Sequence, residues 1–188
     1  SSILDESSFE KSTVDYFLIN SNPDFETLLG HLKNFSTICL DTETTGLSII
    51  NNEPIGISLA VEKSKAYYIP LKEPHKATDF DFAKYKNQFN ELLNQKLIVG
   101  HNLKFDIQML FNIGIHISGK VADTMLAVHL LDPLNKELSL DVNCEKHLGY
   151  KKIKTTTLIG EKKDQSMLEA DLASVTTYAC EDADLTLQ

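Results

Sequence analysis

Ser36-Thr37-Ile38-Cys39-Leu40-Asp41-Thr42-Glu43-Thr44-Thr45-Gly46-Leu47 is an apolar run that closes on two carboxylates and then turns through glycine. Its first half, Thr37 to Leu40, has the continuous apolar character of a buried strand. Residues two apart on a strand share a face, so Asp41 and Glu43 point to the same side. Two anions held that close repel each other, and the cost rises unless something positive stands between them. A divalent cation bound through hard oxygen ligands meets that need.

The flanking pattern supplies a sheet around this strand. Asp15 to Ile19 reads as a first strand, and Asn22-Pro23 opens a helix through Phe25, Leu28, Leu29 and Leu32, with Asn22 as cap and Pro23 at the first helical position. Ile55 to Val61 and Ala66 to Pro70 lie at hairpin distance across Glu62-Lys63-Ser64-Lys65, which predicts an antiparallel meander. Phe82, Tyr85, Phe89, Leu92 and Leu93 keep helical spacing, and Leu97-Ile98-Val99 is a short strand ending at Gly100. Helices follow over 102–113, from the cap Asp123 through Leu131, over 138–148 up to Gly149, and over 171–188. Strands first, then helices, with one βα return, describe an α/β domain: a mixed sheet flanked by helices.

Composition bounds the rest. The chain has 188 residues, 42% of them hydrophobic and 24% charged, as befits one globular domain. No apolar run reaches membrane-spanning length, and the polar start reads as a linker or chain end over 1–14, with one domain over 15–188. Cys39, Cys144 and Cys180 lack metal-type spacing and read as reduced, intracellular, small apolar residues. The last helix meets no stop signal before Gln188, the pattern of a fragment of a longer chain. A net charge of −9 argues against non-specific nucleic-acid binding. Divalent cations on the carboxylates relieve that objection locally. Lys151, Lys152, Lys154, Lys162 and Lys163 crowd one stretch that can meet phosphates or simply face solvent. Every basic side chain besides histidine is lysine, so bidentate guanidinium forks are absent.

Two further stretches carry acids. In Val99-Gly100-His101-Asn102-Leu103-Lys104-Phe105-Asp106 a strand turns through glycine into a helix whose start offers Asn102 and Asp106, four apart on one face. In Tyr178-Ala179-Cys180-Glu181-Asp182-Ala183-Asp184, Asp182 lies about 40° and Glu181 about 60° from Tyr178 around an ideal helix. Spacing barely separates those two acids, and an exposed acidic helix face remains the plain alternative.

In this order and on these elements, Asp41-Thr-Glu-Thr, Gly100-x-Asn-Leu-Lys-x-Asp106 and Tyr178-Ala-x-Glu-Asp-Ala-Asp-x-Thr-Leu-Gln188 resemble the three motifs of the 3′–5′ proofreading exonuclease domain of family A, polymerase I–like DNA polymerases. That domain belongs to the DEDDy group with an RNase H–like fold. The resemblance implies an RNase H–like mixed sheet, an antiparallel meander plus a parallel strand, in an exodeoxyribonuclease using two divalent cations, Mg2+ or else Mn2+. It implies that Asp41, Glu43, Asp106 and Asp182 hold the metals and that Tyr178 orients the attacking water. Glu181 and Asp184 become bystanders. Leu47 and Asn102, with Thr42 and His101 beside them, are the expected contacts to the terminal nucleotide.

Three positions depart from the pattern. His101 stands where glutamine is usual and Phe105 where tyrosine is usual, and the 151–165 loop offers only Leu158 where relatives can carry a DNA-contacting aromatic. The implied partners are the 3′ end of single-stranded or frayed DNA and a polymerase domain in the parent chain, with a monomeric domain and no membrane. The implied product is nucleoside 5′-monophosphate, and the implied setting is replication and repair in the cytoplasm (nucleoid) or an organelle. An RNase D–type exoribonuclease shares the carboxylate set. A decayed exonuclease kept as a structural domain is the non-enzymatic alternative, against which the intact set of four acids stands.

Overall fold

A computed structural model describes residues 14–46, 48–50, 52–160 and 166–188. Most of the expected linker, Leu47, Lys162 and Lys163 lie outside them. The strands are β1 (Asp15–Leu18), β2 (Thr37–Thr44), β3 (Pro54–Glu62), β4 (Lys65–Pro70), β5 (Leu97–Gly100) and β6 (Lys120–Asp123). The helices are α1 (Asn22–Leu32), α2 (Phe82–Asn94), α3 (Leu103–Asn112), α4 (Thr124–Leu131), α5 (Leu140–Leu148), α6 (Thr155–Ile159) and α7 (Leu172–Leu187).

One mixed sheet runs in the order β1-β4-β3-β2-β5-β6. The β2-β3-β4 meander is antiparallel, whereas β1 joins β4, and β5 joins β2, in parallel. The sheet also carries β6, parallel to β5, where a single βα return was expected. Its Lys120, Val121 and Ala122 are exposed at the sheet edge, so no alternation of buried and exposed residues marks it.

Two helix starts differ from expectation. Ser21, not Asn22, caps α1, accepting from Asp24 N–H at 3.2 Å. Asn22 instead ties the start of α1 to the segment before α2, donating to Asp79 O and accepting from Asp81 N–H, both at 3.1 Å. Asn102 precedes α3 in the left-handed region at φ 63° rather than lying in its first turn. Gly149 closes α5 at φ 65°, a conformation glycine adopts without a Cβ penalty.

Strand alternation divides the interior between the two faces. Ile38 and Leu40 of β2 join Phe25, Leu29, Phe89, Leu93 and Leu110 beneath α1, α2 and α3. Phe25 centres that core, its ring 5.3–5.8 Å from those of Phe80, Phe82, Tyr85 and Phe89, and burying such a side chain is worth about 1.5–3 kcal/mol. On the other face Cys39, Ala60 and Tyr68 meet Val175, Ala179, Cys180 and Ala183 of α7. Those small residues let α7 lie close against the strands. All three cysteines are buried and unpaired.

Candidate active site

Continuing the alternation, Asp41 and Glu43 emerge at the end of β2 on the α7 side, while Thr42 turns toward α3. Glu43 faces Gly56 across the β2–β3 pair. A Cβ at Gly56 would run into the Tyr68 ring, so glycine is what admits that ring beneath the acid. From α7, Asp182 comes down onto the pair, and one oxygen from each of Asp41, Glu43 and Asp182 lies within 4.8 Å of the others. Asp106, from the first turn of α3, stands outside that trio. Its Oδ1 accepts from Thr42 N–H at 3.0 Å and from the Thr42 hydroxyl at 2.6 Å.

Burial acts on all four acids, and mutual repulsion adds to it at Asp41 and Glu43. Asp41 is part-exposed at its surface yet densely surrounded, and burial, then Asp106, Glu43 and Asp182, push its carboxyl well above the usual range. Burial, then Asp182, raises Glu43 to about 8. Burial raises Asp106 to about 7 against the pull of its two Thr42 hydrogen bonds. Asp182 reaches only about 6, because Lys152 opposes the effect of burial. Such a cluster is relieved by retained protons or by cations bound among the acids.

Tyr178 packs beside the trio, its hydroxyl 2.8 Å from Thr155 Oγ1. Burial, then Asp182 and Glu43, push its phenol up, so it stays protonated at neutral pH. Lys152 lies with its side chain only 5% exposed, its Nζ 2.6 Å from Asp182 Oδ1, 3.3 Å from Asp141 Oδ1 and 4.6 Å from the centre of the Tyr178 ring. Lys152 Nζ and Asp182 Oδ1 form a close, buried ion pair, and no other donor reaches that oxygen among the described residues. Burial works against the ammonium charge, but Asp182, Tyr178 and Asp141 outweigh it.

The two remaining acids of α7 are structural, not an exposed acidic face. Glu181 accepts from Tyr150 OH and Ile153 N–H, both at 2.7 Å. Asp184 accepts from Tyr16 OH at 2.9 Å and Ser64 N–H at 2.8 Å.

Asp41, Thr42, Glu43, His101, Asn102, Asp106, Tyr178 and Asp182 all line one cleft of ≈ 570 Å³. Asp123 fixes the Asn102 backbone, accepting from its N–H at 3.1 Å and from Leu103 N–H at 2.9 Å. Both ring nitrogens of His101 are engaged, at 2.9 Å by Thr124 Oγ1 and at 2.7 Å by Leu138 O, and burial lowers its pKa. His101 is therefore a neutral ring fixed at the cleft wall.

A family profile described as 3′-5′ exonuclease matches residues 16–188. The chain belongs to the 3′–5′ exonuclease family of polymerase I–type DNA polymerases. It is 33% identical to DNA polymerase I of Borreliella burgdorferi over 100% of its own length, and 30% identical to that of Pseudomonas aeruginosa over 95%. In each case it spans 20% of the relative. Among solved structures, it matches Escherichia coli RNase D, an exoribonuclease, with a TM-score of 0.71 at 17% identity over 93% of this chain and 43% of that one. Brucella melitensis NrnC with bound Mg2+ gives 0.66 at 16% identity over 93% and 77%. These likenesses establish the RNase H–like exonuclease fold.

The exonuclease family is divalent-metal dependent, and the residues present fit such an ion. Three carboxylates offer hard oxygens within reach of one another, and burial with mutual repulsion holds the Asp41 and Glu43 carboxyls above their usual range. Sequence reasoning missed Lys152 and Thr155. Lys152 was one of five lysines in a stretch, with nothing local to single it out. Thr155 belongs to the unforeseen α6.

Proposed function

We propose that this domain hydrolyses the terminal phosphodiester bond at the 3′ end of single-stranded or frayed DNA, releasing nucleoside 5′-monophosphates. It serves as the proofreading part of a longer, polymerase I–like chain inside the cell. The observation that carries this reading is the meeting of Asp41, Glu43 and Asp182 from β2 and α7, beside Asp106 and Tyr178, in one cleft.

Asp41, Glu43 and Asp182 would hold one divalent cation, and Asp41 with Asp106 a second, with Mg2+ the first choice. When bound, the pair supplies an acidified water and steadies the charge on the leaving 3′-oxygen. The chain's own groups supply alignment. Tyr178, protonated and steadied by Thr155, directs the attacking water by hydrogen bonding rather than by removing its proton. Thr42 holds Asp106 at its station. Asn102 and His101 form the wall against which the terminal nucleotide packs, together with Leu47 by family resemblance.

The test uses matched single-stranded DNA and RNA carrying a 3′ label, with Mg2+ or EDTA, and reads mononucleotide release. Mg2+-dependent release from DNA that disappears in Asp41→Ala supports the reading. Release from RNA alone would transfer the domain to the exoribonucleases, whose sugar site accepts a 2′-hydroxyl. No release from either strand would mark a structural remnant.

A further inference from the structure

Lys152 is built into the site rather than draped over it. Glu181, next to Asp182 on α7, binds the backbone N–H of Ile153 through one oxygen and the Tyr150 hydroxyl through the other. The chain on both sides of Lys152 is thus pinned to the same helix that delivers Asp182 and Tyr178. Its ammonium group then has three partners: Asp182 inside the cluster, the face of the Tyr178 ring, and Asp141 of α5 at the solvent edge. Asp141 has a half-exposed side chain, whereas the Asp182 side chain is 11% exposed. The lysine therefore bridges an inner and an outer carboxylate, and the inner one is part of the trio able to hold a metal.

We propose that Lys152 is a resident counter-ion of the exonuclease site, one that offsets the charge of Asp182 in the metal-free protein and is displaced outward, onto Asp141, when the site loads with metal. This rests on the metal-dependent reading given above and deepens it. A cation already seated on Asp182 repels an incoming divalent ion, and its departure is part of the free energy of loading. Lys152 is accordingly a positioning residue that holds Asp182 in an ion pair and raises the metal concentration at which the nuclease switches on. A purely structural lysine would act in the opposite sense, since its loss would disorder the ligands and weaken metal binding.

The test is Mn2+ titration of this chain, followed by electron paramagnetic resonance at one fixed pH and ionic strength, for the unmodified protein, Lys152→Met and Asp41→Ala. Removing one facing positive charge is expected to tighten Mn2+ binding by Lys152→Met about tenfold. Equal or weaker binding by Lys152→Met overturns the counter-ion role but leaves the metal site standing. Mn2+ binding that Asp41→Ala does not impair overturns the metal site itself and this role with it.

A second measurement needs no variant. Acetylation of the unmodified protein, read lysine by lysine by mass spectrometry, should find Lys152 protected without metal and reactive with Mg2+. Lys151, 84% exposed, serves as the reference in both states. Unchanged protection of Lys152 at saturating Mg2+ overturns the displacement.

Discussion

Asp106 Oδ1 accepts two hydrogen bonds from Thr42, one from the backbone N–H and one from the hydroxyl. The middle residue of the Asp41-Thr42-Glu43 stretch thereby anchors an acid from another element. It also draws Asp106 back toward ionisation against the effect of burial. Thr42→Val keeps the backbone bond and removes the other, so stability should fall by about 1–2 kcal/mol. The Asp106 carboxyl should rise further, moving the acid limb of the pH–rate profile to higher pH. A profile that stays in place would show the hydroxyl contact to be irrelevant to the chemistry.

Metal-free stability should fall as pH rises. Carboxylates in the unfolded chain titrate near the ordinary range, about 4, whereas the folded protein holds Asp182 to about 6, Asp106 to about 7 and Glu43 to about 8. Between those limits the folded state binds more protons than the unfolded state, so each rise in pH favours unfolding. Urea midpoints in EDTA should be lower at about pH 8 than at about pH 5, and Mg2+ should narrow or reverse the gap.

Asp41→Asn should separate stability from function. It removes a carboxyl whose ionisation burial and its acidic neighbours oppose, so the metal-free protein should melt higher, by about 1 kcal/mol of added stability. Metal-dependent nucleotide release should be lost. A variant that melts lower would show that Asp41 bears a structural load absent from its contacts.

Glu181→Ala should do the reverse. It leaves the Tyr150 hydroxyl and the Ile153 N–H without their acceptor, at a cost of about 2 kcal/mol. Thermal unfolding measures this directly. Glu181→Gln, whose amide offers one acceptor where two are needed, should lie between alanine and the native residue.

Gly56→Ala should be destabilising despite its small size. The added methyl meets the Tyr68 ring between two paired strands, where little can give, and overpacking of this kind costs about 1–3 kcal/mol. Gly56→Ala combined with Tyr68→Leu should recover part of the loss, as read by thermal or urea unfolding.

Much of this molecule was legible in local pattern. Alternation placed Asp41 and Glu43 on one face of β2, helical spacing marked α2 and α3, and the hairpin signal gave β3 and β4. The cap of α1 was misjudged because Ser21 and Asn22 are both good caps, and only a contact with the segment before α2 draws Asn22 away. The edge strand β6 escaped notice because its exposed residues carry no periodicity.

The choice of acids on α7 is the clearest division. Tyr178, Glu181 and Asp182 lie on one helix, and helical angles alone scarcely distinguish the two acids. Folding does, because the 150–153 segment saturates Glu181 with hydrogen bonds while Asp182 faces β2. Lys152 is the same lesson in a basic residue. Chain-local periodicity can say which face a side chain occupies and which chemistry it brings. It cannot say what a distant segment will lay against that face, since the energy of such a contact depends on burial and distance that exist only after the chain has closed on itself.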